Sequence, residues 1–273
     1  MSRRPRASVA LVAALAGLAL AGCSSAGANE VGASSSTPAS VATSRTPPAP
    51  TLGGDLTVFA AASLTDTFTT IGAQMMAANP DLTITFNFGS SGTLAEQLLS
   101  GAPADVFASA STTTMATAAE VVGEPALFAH NSLVIVVPKG NPGGVTGLSD
   151  FANPDLTIAL CDPSAPCGAA ARTVFANAGI TPAPDTLGQD VRATSSYVTS
   201  GEVDAALVYT TDAIAAGSAV ETITFPEAAE VVNDYPIAVV EGTRNADAAR
   251  AFVEHVLSPA GQAVLTDAGF DPT

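Results

Sequence analysis

The chain has no tryptophan and only three tyrosines in 273 residues. A platform for stacking bases or sugar rings is therefore poorly supplied. Cationic residues are scarce as well, with nine Lys and Arg against 25 Asp and Glu. Setting aside Arg3, Arg4 and Arg6 of the N-terminal segment leaves six against 25, a net charge of −19. That balance excludes nucleic acid as a partner, because binding it requires basic surface to neutralise phosphates. It also argues against capturing an anion by simple surface charge. Only two histidines occur, His130 and His255. They are isolated, read as ordinary structural or surface residues, and make a Ser-His-Asp set hard to build. No G-x-S-x-G, H-E-x-x-H, Walker loop or G-x-G-x-x-G is present. No long apolar run follows the N-terminal one, so no second membrane span is expected.

What is there begins with processing signals. In "MSRRPRASVALVAALAGLALAGC" three arginines precede a short apolar core and a Leu20-Ala21-Gly22-Cys23 ending. This is a secretory signal over residues 1–22, and the ending resembles the bacterial lipobox, in which Cys23 becomes the lipidated first residue. The alternative is a plain signal peptide with an incidental cysteine. Residues 23–52 are dominated by Ser, Ala, Thr, Gly and Pro without aromatics. Such a segment cannot bury enough apolar surface to offset its ordering entropy and reads as a tether. The expected location is the extracytoplasmic face of the cell membrane, held by lipid.

From residue 53 onward, β-branched apolar runs alternate with helical patterns. "LTVFAAAS", "LTITFNFGS", "ADVFASA", "SLVIVVPKG", "LTIALCD", "DAALVYTTDA" and "PIAVVEG" are the strand-like runs, and one long helix is predicted over 246–268. The alternation predicts an α/β architecture, mostly parallel, with helices on both faces of the sheet. In such folds ligands collect beyond the carboxyl ends of strands, where helix N-termini expose unpaired N–H groups. Several of these turns carry small or hydroxyl residues: Ser63 in "AAASLTD", Ser90 and Ser91 in "GSSGTL", Cys167 and Gly168 in "PCGAAA", and Val191 in "QDVRA". Each serine taken singly is accounted for by N-capping, about 1 kcal/mol of helix stability. Function has to come from several such turns acting together. Tyr209 ends an apolar strand and is either a hydroxyl donor into a crevice or a core aromatic. Arg192, beside Val191, reads as a solvated surface residue.

Cys161 and Cys167 lie six apart in "CDPSAPCG". In an exported chain a local disulfide is the default. Metal ligation has no nearby histidine to support it. The remaining enzyme reading is a reactive Cys167 thiolate at a helix start.

The segments "VFAAASLTDTF", "FGSSGTLAEQLLSGAPADVFASA", "NSLVIVVPKG", "QDVRA", "ALVYTTDA" and "YPIAVVEG" run in order through residues 55–270. Together they resemble the periplasmic molybdate-binding proteins of bacterial molybdate ABC importers. The resemblance implies a type II periplasmic binding fold with two α/β lobes joined by two crossing hinge strands. One lobe would comprise 53–131 and 236–273, the other 132–235. It implies an oxyanion held by neutral donors alone: the hydroxyl and N–H of Ser63 and of Ser91, the N–H of Cys167 and of Val191, and the Tyr209 hydroxyl. No side chain would ligate the metal atom directly, and no cofactor is implied. The implied ligand is molybdate or tungstate, the partner an ABC permease, the state a monomer, and the chain not an enzyme. A receptor for another tetrahedral oxyanion, such as sulfate, is the alternative. The sequence departs from the family at Cys161 and Cys167. A backbone donor needs no particular side chain, so the expectation is a Cys161–Cys167 disulfide that stiffens the binding loop and preorganises one N–H.

Overall fold

The run from Gly53 to Ala61 forms β1, in which Leu56, Val58 and Ala60 point to one face and Phe59 to the other. Both faces are buried, which explains why the strand reads as a nearly continuous apolar run rather than an alternating one. The computed structural model describes residues 52–273, which fall within one compact unit, Ala49–Thr273. The signal segment, Cys23 and nearly all of the tether lie outside the described residues.

Strand β1 pairs in parallel with β2 (Asp81–Gly89) along its whole length and with β3 (Val106–Ala108) on its other side. The helices α1 (Thr65–Ala78) and α2 (Ser91–Leu99) are the crossovers. The helix α3 (Thr112–Thr117) leads to β4 (Ala126–Pro138). Then follow β5 (Ile158–Cys161), α4 (Pro166–Ala178), β6 (Thr186–Gly188), α5 (Val191–Thr199), β7 (Ala205–Tyr209) and α6 (Thr210–Ala216). The chain finishes with β8 (Val220–Ile223), β9 (Val232–Val239), α7 (Ala246–Leu257) and α8 (Pro259–Asp267). The sheet order is β2-β1-β3-β9-β4-β7-β5-β6, with β8 on β4. Pairs toward both ends are parallel, and those involving β4 and β9 are antiparallel.

Strand β4 changes partners part-way along. Its first half, to Ser132, pairs with β9; from Leu133 it pairs with β7 and β8. The buried apolar residues divide at the same place. One core draws on Leu133–Ala228 with Ala62 added. The others lie among residues 56–129 and 235–270, with Phe68 packed edge-on against Phe252 at 5.4 Å between ring centres. The chain passes between these regions in β4 and returns between β8 and β9.

The single helix predicted over 246–268 is two helices. Ser258 is extended (φ −71°, ψ 160°) because Pro259 sterically excludes the helical conformation for the residue before it and supplies no N–H. Its hydroxyl then accepts from the Gly261 N–H and caps α8. Strands β4 and β9 also begin earlier than the apolar runs at 132 and 236 suggest, since "ALFAHN" and "VND" include polar residues that the pairing of the two strands absorbs. No helix among the described residues is long and apolar enough to cross a membrane.

Candidate functional site

Four strand-to-helix turns end at one cavity. After β1 a short 3-10 turn, Ala62–Leu64, carries Ser63. After β2 the chain enters α2 at Ser91, after β5 it enters α4 at Pro166, and after β6 it enters α5 at Val191. Strand β7 contributes its last residue, Tyr209. Ser63, Ser91, Cys167, Val191 and Tyr209 all line this small cavity, with Ser90 and Asp190 beside them. All five residues singled out from the sequence are therefore brought together, from turns as far apart as residues 63 and 209.

The two serines do not cap their helices. Ser63 Oγ lies 3.0 Å from Tyr235 Oη. Ser91 Oγ accepts the Ala110 N–H at 3.0 Å. No side chain caps the 3-10 turn, α2 or α4, so their first N–H groups remain open to another acceptor. Of the helix starts at the cavity, only that of α5 is closed by a side chain, where Asp190 Oδ1 accepts the Ala193 N–H. That bond accounts for the one carboxylate on the cavity wall.

Two further hydroxyls on this wall, Ser90 Oγ and Tyr209 Oη, are buried without a well-formed hydrogen bond among the described residues, with Tyr235 and Asn233 the polar neighbours of Tyr209. Unpartnered buried polar atoms cost stability and call for an explanation. Here both face the same small cavity, and a polar guest would satisfy both. Burial, followed by the neighbouring Tyr235, pushes the Tyr209 phenol well above its usual range. It therefore stays protonated and can donate.

Among the described residues no cationic side chain lines the cavity. Arg192 lies just behind it and is not the solvated surface residue the sequence suggests. Its guanidinium is 2.5 Å from Asp66 Oδ2 on α1, and its Nε is 3.0 Å from Asp212 Oδ1 on α6 without hydrogen-bond alignment. The reason is reach: α1 and α6 are brought to either side of α5 by strands far apart in sequence. The Asp212 side chain is fully buried, and burial raises its pKa to about 7 against the opposing pull of Arg192.

The loop that presents the Cys167 N–H is tightly built. Cys161 and Cys167 are disulfide-bonded, with Cα atoms 5.8 Å apart. Thr194 Oγ1 donates to the Asp190 carbonyl at 2.9 Å and packs 3.3 Å from Cys161 Sγ. A Cβ at Gly168 would stand 2.0 Å from the Asp162 carbonyl oxygen, so only glycine fits at this close approach. Peptide mapping of unreduced, denatured protein should find residues 161 and 167 in one cross-linked species. Alkylation of both without reductant would contradict the bond.

Sequence reasoning missed Tyr235, Asn233 and Asp212. "YPIAVVEG" and "TTDA", which hold Tyr235 and Asp212, were legible as strand and helix start, and Asn233 falls just before the first of them, but nothing in the sequence gives the direction of these side chains. Among the described residues no group of three or more His, Cys, Asp or Glu is placed to hold a metal ion.

Residues 56–271 match the family model described as bacterial extracellular solute-binding protein. The chain belongs to that family. Among solute-binding relatives, the molybdate-binding protein ModA of Mycobacterium tuberculosis is 42% identical over 240 residues, covering 86% of this chain and 90% of the relative. Of solved structures, the periplasmic molybdate-binding protein of Azotobacter vinelandii superposes with a TM-score of 0.68 at 22% identity, covering 80% of this chain and 99% of that one. The sulfate-binding protein SubI of M. tuberculosis superposes at 0.70 with 19% identity, covering 80% and 87%. At such identities both structures establish the fold and do not choose between anions.

Proposed function

We propose that this solute-binding protein captures molybdate, and tungstate equally well, outside the cytoplasm and delivers it to an ABC permease. The observation carrying the proposal is the cavity itself: hydroxyls and uncapped helix starts converge with no cation among them. A tetrahedral dianion presents acceptors only. Fixed N–H and O–H dipoles stabilise it without a formal positive charge and without reorganising when it arrives. The molybdate-binding relative at 42% identity supports the choice of ligand. In this reading residues 53–131 with 236–273, and 132–235, are two lobes that close on the anion, with β4 and β9 as the hinge. The site stays free of cofactors, the chain works as a monomer without catalysis, and Cys23 carries the lipid that keeps it at the membrane.

Selectivity follows from size. Molybdate and tungstate are nearly equal, whereas sulfate is smaller and would leave some donors unpaired at a cost. Titration calorimetry with molybdate, tungstate, sulfate and phosphate tests this. Tight binding of the first two and weak binding of sulfate is expected; tight sulfate binding with silent molybdate would install the sulfate receptor instead. Ser63→Ala and Ser91→Ala should each weaken molybdate binding by about 1–3 kcal/mol, because each strips a donor from a buried anion. Unchanged affinity in both would remove the site. A thiol enzyme is disfavoured because Cys167 Sγ is engaged with Cys161.

A further inference from the structure

Two neighbouring inward residues of β9 stand behind the two serines. Residues 233 and 235 are two apart on a strand and so point to the same face. Tyr235 is fully buried, and its Oη is 3.0 Å from Ser63 Oγ. Asn233 is buried too, and its Nδ2 donates to the Ala110 carbonyl at 2.9 Å. The N–H of Ala110 in turn donates to Ser91 Oγ at 3.0 Å. Each serine oxygen thus has a fixed partner: Tyr235 Oη for Ser63, and for Ser91 the N–H of Ala110, a residue of the cavity wall.

The direction of the Ser63–Tyr235 bond decides what the cavity offers. If Ser63 donated to Tyr235, it would turn a lone pair toward the guest. An oxyanion brings only acceptors, so that arrangement would oppose acceptor to acceptor. If Tyr235 donates, the Ser63 proton is free and points forward. Burial keeps the Tyr235 phenol protonated by pushing its pKa further up than the Ser63 bond pulls it down. For Ser91 the direction is fixed already, since a backbone N–H can only donate. Its hydroxyl proton is free for the cavity.

We propose that Tyr235 is a positioning residue that orients the Ser63 hydroxyl proton toward the bound oxyanion, and that Asn233 is one that holds Ala110, whose N–H orients the Ser91 hydroxyl. The inference rests on the anion-receptor reading. The relay also ties the serines to β9, the strand that returns the chain from the β7–β8 core. Donor orientation and the crossing of the chain therefore depend on one element.

A double-mutant cycle isolates the effect. Tyr235→Phe removes one oxygen and keeps the ring packed edge-on against Phe128 and Phe270. In the parent background it should weaken molybdate binding roughly three- to tenfold, the scale of one oriented hydrogen bond. In the Ser63→Ala background the same change should alter binding less than about twofold, because there is no hydroxyl left to orient. Asn233→Ala paired with Ser91→Ala should behave alike. Urea midpoints of the ligand-free variants report any purely structural loss, which would be the same in both backgrounds. Equal losses of affinity in both backgrounds, or none in either, overturn the orientation role while leaving the receptor intact. If the parent chain binds no molybdate, the receptor reading falls and the orientation role falls with it.

Discussion

Gly92→Ala should weaken molybdate binding by roughly tenfold or more while leaving the ligand-free chain at least as stable as the parent. A Cβ on Gly92 would lie 2.8 Å from the carbonyl oxygen of Ser164, an approach that real Cβ atoms do not make. The contact joins α2 to the loop before α4, which belong to separate buried cores. The Ser164 side cannot retreat easily, because the Cys161–Cys167 disulfide and the Asp162 bonds to the Ser164 N–H and hydroxyl hold the loop. The two walls must therefore part by a few tenths of an ångström. Donors to a charged guest weaken steeply with distance, and each is worth about 1.5–3 kcal/mol, so even partial loss of two exceeds a tenfold change. In the proposed two-lobe reading the walls stand apart without ligand, so the clash is absent there and stability should move the other way. Glycine in the middle of a helix costs about 0.5–1 kcal/mol relative to alanine, and α2 gains part of that at Gly92, its second residue. Calorimetric affinity and the ligand-free melting temperature read the two effects separately. Unchanged affinity would show that the walls do not meet when the ligand is bound. A fall in the ligand-free melting temperature would show that they already meet in the resting protein.

The turns that line the cavity were legible because their pattern is local. A strand handing over to a helix at Ser63 or Ser91 shows as an apolar run broken by small polar residues, and the family pattern then selects those turns. The fold was legible for the same reason, since β-branched runs alternate with helical ones. What stayed hidden depends on the crossing of β4 and β9. Tyr235 reaches Ser63 across 172 positions only because β9 lies between β3 and β4. Arg192 meets Asp66 across 126 positions, and no periodicity in "QDVRATSS" distinguishes that arginine from a solvated one. The break at Pro259 was local and readable from "HVLSPAG"; the apolar periodicity on either side of it concealed the stop. The signal, Cys23 and the tether were read from the sequence alone, and mass spectrometry of the mature N-terminus, for or against a lipid on Cys23, would test them.

Below pH 7 the ligand-free protein should become more stable, and Asp212→Asn should abolish that gain. Asp212 is a carboxyl group with a fully buried side chain, and its folded-state pKa is raised from 3.8 to about 7, first by burial. Arg192 and the Thr211 hydroxyl pull it down, and Asp190 and Asp66 push it further up. Between these two values the folded chain holds a proton that the unfolded chain has lost. The resulting stability is complete below about pH 4 and disappears as pH rises through 7, with a slope of at most about 1.4 kcal/mol per pH unit. Asp150 and Asp162 are shifted downward, by hydrogen bonds from Thr146 and Ser164 respectively, so their opposite contributions are lost only in more acidic solution. They do not mask the window from pH 5 to 8. Asparagine at 212 carries no charge to desolvate, and Arg192 is not stranded by the change because its side chain is one-third exposed and keeps Asp66. The variant should therefore match the parent near pH 5 and exceed it at pH 8. Melting temperatures at half-unit steps across that range decide the matter. A parent curve that is flat or rises with pH, or a variant less stable than the parent at pH 8, would mean that Arg192 holds Asp212 ionised and that the buried pair stabilises the fold.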